Sequence, residues 1–116
     1  MTGLDNAGRE ARHASYAKVV LSQSDALGYL RNISDSGCRL AFLEQLPIQI
    51  GTSLEMQVIP AAEMGSPAFY MTFIVQWTRP GEVFFTVGGR VDTFPSEEDR
   101  RSYDLLMKHW SVPEES

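Results

Sequence analysis

The sequence predicts an all-β fold, a small six-stranded antiparallel β-barrel with one C-terminal α-helix. Two observations predict it. Six segments with strand-like alternation or β-branched content follow one another through short connections. A single amphipathic helical pattern then follows the last of these segments. Closure into a barrel is expected because it removes the exposed edges of a sheet.

The first three strands are predicted over residues 17–22, 26–33 and 38–43. The first begins with the β-branched residues Val19 and Val20, which favour strands. Gly28 interrupts the second and predicts a β-bulge there. In the third, alternation places Cys38, Leu40 and Phe42 on one face.

The other three strands are predicted over residues 52–59, 69–78 and 82–91. The fifth has the strongest alternation, and its apolar face includes Trp77, which is therefore predicted as a core residue. A turn at 79–81 connects it to the sixth strand, where Val83 is predicted to share the inner face with Phe85 and Val87. The pair Gly88-Gly89 permits a kink or a close approach of another chain segment.

The C-terminal helix is predicted over residues 96–110. Ser96 can cap its first turn, and the three acids that follow complement the positive end of the helix dipole. An apolar stripe at helical spacing should pack on the barrel. Its members are Tyr103, Leu106, Met107 and Trp110.

Length and composition indicate one globular domain. A chain of 116 residues can form a single core, so we predict one domain over 1–116, divided into an N-terminal arm (1–15), a barrel (17–93) and the helix (96–110). The arm shows no periodicity and is expected to be flexible. A single cysteine, no apolar leader and no long apolar run predict a cytoplasmic protein without membrane insertion.

The net charge of −5 argues against DNA or RNA as a partner, because phosphate backbones attract basic surfaces. The charge is uneven along the chain. Residues 1–40 hold five bases and four acids, whereas the remainder holds five bases and eleven acids. An anionic ligand is therefore better received by the first third of the chain.

A polar stretch, Asn32-Ile33-Ser34-Asp35-Ser36-Gly37, connects the second and third predicted strands. Asn32 and Ser34 are two residues apart, so in an extended chain they point to the same side. Asn, Ser and Gly are also ordinary turn formers, and spacing alone favours a plain turn. Upstream, the arm carries two arginines, Arg9 and Arg12.

Together these features resemble the PilZ domain family. That family combines an Arg-x-x-x-Arg motif, an Asp/Asn-x-Ser-x-x-Gly motif and a small β-barrel closed by a helix. Asn32, Ser34 and Gly37 match the second motif fully. The first differs, because Arg9 and Arg12 are three residues apart where the family has four. The resemblance extends from about Arg9 to about Trp110.

The resemblance implies a receptor for cyclic di-GMP, with Arg9, Arg12, Asn32, Ser34 and Gly37 as ligand-binding residues and no other cofactor. Arginine suits this ligand because its planar fork pairs with phosphate and its face stacks on a purine. The implied partner is an unidentified protein in motility, biofilm or exopolysaccharide control. The alternative is a degenerate PilZ-like adaptor that binds no nucleotide and acts through protein–protein interaction.

No enzyme is expected. Cys38 could be a nucleophile only beside a base, and the two histidines, His13 and His109, lie far from it in sequence. No Cys or His cluster has the spacing of a zinc site. Arg31 and Arg39 flank the motif, and a phosphate contact from either is a secondary expectation.

Overall fold

The computed structural model describes residues 17–34 and 37–110, which form six strands, a short 3-10 turn and one helix. The N-terminal arm with Arg9 and Arg12, and residues 35–36 of the motif, lie outside the described residues. The strands are β1 Ala17–Leu21, β2 Leu27–Ile33, β3 Gly37–Phe42, β4 Ser53–Pro60, β5 Phe69–Pro80 and β6 Phe85–Val91. The turn is Ala62–Met64, and the helix α1 is Glu97–His109.

The six strands close into an antiparallel barrel, which confirms the predicted fold class. Their order around the barrel is β1-β2-β3-β6-β5-β4, and β1 closes the ring by pairing with β4. The register at closure sets Val19 opposite Gly28 on one side and Val58 on the other. Every strand in the described barrel therefore has two hydrogen-bonded neighbours, which leaves no free sheet edge.

The core fills the barrel with side chains from alternate strand positions, as the sequence pattern predicts. In β4 the inward residues are Leu54, Met56 and Val58, each at most 5% exposed. In β3 the predicted face is buried as well, with Cys38, Leu40 and Phe42 in the core cluster. The largest fully buried side chains include Phe42, Phe69 and Phe73.

The fifth strand departs from its predicted alternation at its C-terminal end. Its register against β6 shifts between Val75 and Trp77, so an extra residue, Gln76, lies between them. Val75 is 1% exposed, but Trp77 is half-buried and pairs with Gly88 on the outer face of the barrel. The prediction of Trp77 as a core residue is therefore wrong, because a bulge reverses the side to which the following residues point.

Two further details differ from the sequence predictions. The hairpin between β5 and β6 is longer than predicted, since Pro80 pairs with Phe85, and Val83 is 65% exposed in the loop. Gly28 is not a bulge. It pairs regularly with Phe42, whose ring fills the space where a Cβ would lie. The irregularity in β2 falls instead at Arg31, between Leu30 and Asn32.

Helix α1 packs on the barrel as predicted. Ser96 is the N-cap, and its Oγ accepts a hydrogen bond from the backbone N–H of Asp99 at 3.2 Å. Tyr103 and Leu106 are buried in the core cluster, and Met107 and Trp110 pack against it. Among the described helices, none is long and apolar enough to cross a membrane.

A carboxylate connects the helix to the sheet where β6 ends. The backbone N–H of Tyr70 in β5 donates to Asp99 Oδ1 at 2.8 Å, and the Ser96 hydroxyl donates to Asp99 Oδ2 at 2.6 Å. The hydrogen bonds from Ser96 and Tyr70 hold the pKa of Asp99 below its ordinary value. The carboxylate therefore satisfies a strand donor that lies beyond the paired part of β6.

Asp99→Asn tests this connection through its pH dependence. Because the folded pKa is lower than the unfolded value of about 3.9, the stabilisation is present above pH ~4 and is lost as pH falls through the folded pKa. We expect the variant to lose about 1 kcal/mol of unfolding free energy at pH 7 and less at pH 3, measured by urea unfolding. Asp104→Asn, on the exposed helix surface, is the control. Equal losses at both pH values would contradict the assignment.

Candidate functional site

The three matched residues of the second motif meet at one place on the barrel surface. Asn32, Ser34 and Gly37 line an open depression of about 230 Å³. Cys38, Arg39 and Trp77 complete its lining. We call this the motif depression. Sequence reasoning anticipated the first three residues as a group, and the strand pairing brings Arg39 and Trp77 to them.

The depression lies on the outer face, along one row of paired residues. Asn32 in β2 pairs with Arg39 in β3, Arg39 with Gly88 in β6, and Gly88 with Trp77 in β5. The neighbouring residues Leu40 and Val87 are fully buried, so the row itself points away from the core. Four strands thus contribute one amide, one guanidinium, one glycine and one indole side by side.

Gly88 makes the position of Trp77 possible. A Cβ at this glycine would overlap the indole of Trp77, which lies directly over the backbone there. Gly88 is buried under the ring although it lies on the outer face. The indole of Trp77 therefore presents an aromatic surface beside the polar residues of the motif depression.

The corner between β2 and β3 is held by Ser34 and Gly37. The backbone N–H of Ser34 donates to the Gly37 carbonyl at 2.9 Å. The Ser34 hydroxyl donates to the same carbonyl and accepts from the Gly37 N–H, each at 3.3 Å. A Cβ at Gly37 would overlap the carbonyl oxygen of Gly89, so the close approach of β3 and β6 requires this glycine. Both residues therefore have a structural role in the corner.

A side chain of the helix also holds this corner in place. The hydroxyl of Tyr103 donates to the Ser34 carbonyl at 2.6 Å and lies 3.9 Å from Cys38 Sγ. Its ring packs edge-on against Phe69 and at a tilt against Phe94. The motif corner is thereby tied to the helix as well as to the sheet.

Asn32 keeps hydrogen-bonding capacity for a ligand. Its Oδ1 accepts from the backbone N–H of Ile33 at 2.8 Å, which fixes the side-chain amide beside the strand. Within the described residues, no acceptor is bonded to its NH2 group. Two N–H donors are therefore available at the exposed edge of the depression.

Arg39 and Trp77 line the depression, and two further arginines of the same outer face contact aromatic rings. The Arg79 guanidinium lies 5.1 Å from the centroid of the Trp77 ring, and that of Arg31 lies 5.7 Å from the centroid of Phe84. Arg39 is exposed and lines the depression directly. The sequence predicts Arg31 and Arg39 as residues that flank the motif, but it predicts a turn at Arg79 and therefore does not point to that residue. Its spacing of two from Trp77 was the available signal.

Burial disfavours Cys38 as a nucleophile at neutral pH, because the thiolate is the reactive form. Burial raises the pKa of its thiol to about 12, and the hydrogen bond with Tyr103 opposes this only in part. The residue is 8% exposed and belongs to the core, as the sequence predicts. In the described part of the chain, no three His, Cys, Asp or Glu side chains are grouped as a metal site requires.

The start of the barrel lies beside the motif. Ala17, the first described residue, pairs with Leu30, two residues before Asn32. The described chain therefore begins on the strand that pairs with β2, which carries Asn32. Arg12 precedes Ala17 by five residues, and an extended chain spans at most about 3.6 Å per residue, or roughly 18 Å.

Two larger depressions lie near the helix, and both have more acidic linings than the motif depression. One of about 360 Å³ is lined by Asp92, Arg100 and Asp104 among other residues. The other, of about 470 Å³, is lined by Asp92, Glu97 and Arg100 among others. Each has two carboxylates for one guanidinium, which disfavours an anionic ligand. The motif depression is smaller, and its described lining residues include a cation and no acid.

Comparison with known proteins adds no assignment. No family model, no curated protein and no solved structure matches the chain. The functional argument therefore depends on the residues of the motif depression themselves.

Substitutions of Gly37 and Ser34 should differ in how much they destabilise the protein. Gly37→Ala forces a Cβ against the backbone of β6, and we expect a loss of about 1–3 kcal/mol in unfolding free energy. Ser34→Ala removes only the two 3.3 Å contacts and should cost about 1 kcal/mol or less. Urea unfolding of both variants measures the order. A Gly37→Ala protein as stable as the wild type would refute the close approach of β3 and β6.

Proposed function

We propose that this chain is a cyclic di-GMP receptor domain of the PilZ type. The observation that carries the proposal is the grouping of Asn32, Ser34 and Gly37 with Arg39 and Trp77 around one open depression. This set supplies amide donors, a cation and an aromatic surface within a single site. A purine dinucleotide with two phosphates requires each of these groups.

The chemistry of the ligand matches the residues in detail. A guanine edge presents the N7 and O6 acceptors, which suit the free NH2 donors of Asn32. A guanine face can stack on the half-buried indole of Trp77. The phosphates carry two negative charges, for which guanidinium groups are the strongest side-chain partners.

Arg9 and Arg12 have a defined part in the proposal. The arm is attached next to β2, so it can fold over a ligand held in the depression. Because its arginines are three positions apart rather than four, one contact of the family pattern is lost or displaced. The loss of one charge-assisted contact costs about 1.5–3 kcal/mol, roughly a tenfold to hundredfold loss of affinity. Affinity should accordingly be weaker than with a complete motif.

The output of binding is a changed surface. Closure of the arm would cover the depression and present new arm residues beside β2, and a protein partner would recognise that state. Control of motility, biofilm or exopolysaccharide is the proposed context. The proposal sets the protein in the cytoplasm.

A degenerate PilZ-like adaptor without nucleotide binding is the second candidate. Two observations favour it. The arginine spacing is altered, and both Ser34 and Gly37 have roles in the corner that need no ligand. Such a motif can persist for structural reasons after binding is lost. In this case partner association would not depend on the nucleotide.

Isothermal titration calorimetry with cyclic di-GMP on the full chain tests the proposal. We expect saturable heat in the micromolar range, and a tenfold or greater loss for Arg9→Ala/Arg12→Ala. Arg101→Ala/Lys108→Ala is the matched control, because it removes the same charge from the exposed helix surface. No heat at high micromolar ligand with folded protein would contradict the receptor function and leave the adaptor.

A further inference from the structure

The outer face of the barrel is cationic although the whole chain is acidic. Strands β1, β2, β3, β5 and β6 contain no acidic residue, and β4 contains one, Glu55. The five acid-free strands hold exposed bases, whereas most described acids lie in loops and in the helix. These bases are Lys18, Arg31, Arg39, Arg79 and Arg90.

Three of these bases lie on strands that contribute residues to the motif depression. Arg39 lines it, and Arg79 lies against the ring of Trp77, another of its lining residues. Arg31 projects from the β2 bulge, and its contact with Phe84, next to β6, carries its guanidinium across β3. The three side chains therefore occupy one continuous surface over β2, β3, β6 and β5.

The charges of this surface are not neutralised locally. Across residues 17–34 and 37–110, no carboxylate pairs with Arg31, Arg39 or Arg79. Arg90, the next base on β6, contrasts with them because it pairs with Asp92 at 3.8 Å. Contact with aromatic faces holds Arg31 and Arg79 in place while their charge remains available. Three arginines that have no acidic partner among the described residues favour a positive potential on this face in a protein of net charge −5.

We propose that the barrel itself supplies the phosphate-binding charge of this site, with Arg39 as the direct contact and Arg31 and Arg79 as the source of the surrounding positive field. The inference rests on the proposed function and adds a residue that the motifs do not include. It also explains how a phosphate-bearing ligand could be held despite the altered spacing of the arm arginines. The ligand class is a guanine nucleotide with at least one phosphate.

Arg39 is assigned as the contact because of its position. Among the three arginines, it alone lines the depression, and it pairs directly with Asn32 across β2 and β3. Its guanidinium is thus next to the donors proposed for the guanine edge. Arg79 is the next residue after Trp77 on the same face of β5, and it does not line the motif depression.

Calorimetry with cyclic di-GMP on full-length variants tests the direct contact. Arg39→Gln keeps a polar side chain with N–H donors but shortens it and removes its charge, and we expect a tenfold to hundredfold loss of affinity. The side chain is exposed, so the urea unfolding midpoint should not change. Guanosine, which has no phosphate, should bind wild type and Arg39→Gln equally, because only the phosphate interaction is removed.

A pair of charge reversals tests the surrounding field. Arg79→Glu and Arg101→Glu change the net charge equally, but only the first changes the outer face. At low salt we expect Arg79→Glu to weaken binding about three- to tenfold and Arg101→Glu less than about twofold. The difference should shrink at 0.5 M salt because screening shortens the range of the field.

The outcomes distinguish the inference from the proposed function. Wild-type affinity in Arg39→Gln would overturn the inference and leave the receptor function standing. Equal losses in Arg79→Glu and Arg101→Glu would overturn the field that it assigns to the outer face. Absence of binding by the wild type would overturn both. A loss specific to phosphate in Arg39→Gln, with the two reversals differing as stated, supports the inference.

Discussion

Close backbone packing among β3, β6 and β5 is the constraint on which the rest of this structure depends. Gly37 lies against the carbonyl of Gly89, and Gly89 in turn lies against the carbonyl of Ile74. Gly88 lies under the indole of Trp77. A side chain at Gly37 or Gly89 would overlap the backbone of the neighbouring strand, and one at Gly88 would displace the indole of Trp77. The lack of side chains at these positions therefore allows β3, β6 and β5 to pack closely and lets Trp77 lie beside Gly37 in the motif depression.

The helix makes this corner part of the core. Tyr103 donates to the Ser34 carbonyl while its ring packs between Phe69 and Phe94, so the motif corner and the hydrophobic interior share one side chain. A rigid corner is useful to a binding site because little ordering remains to be done when a ligand binds.

The local pattern of hydrophobic and polar residues predicts the strands and the helix. The pairing of the strands explains the residues for which that pattern fails. Alternation identified the inner faces of β3 and β4, and the Ser96 cap with the Tyr103 stripe identified the helix. Trp77 continued the apolar alternation of β5, but an extra residue in the strand turned it outward. Such a bulge depends on how β5 pairs with β6, and the local alternation of hydrophobic residues carries no information about that pairing. The grouping of Asn32, Ser34 and Gly37 was predicted from the motif, whereas the addition of Arg39 and Trp77 required the strand order.

The central claim is that an anionic guanine ligand occupies the motif depression. The most direct measurement is a titration of the ¹⁵N-labelled full chain with cyclic di-GMP, followed by the NMR signals of backbone amides and the tryptophan indoles. The account predicts the largest shifts at Asn32, Arg39 and Gly88 and at the indole N–H of Trp77. It predicts small changes in the helix groove, which is the pair of depressions near the helix that Arg100 lines. Shifts concentrated in that groove, or none at saturating ligand, would contradict it.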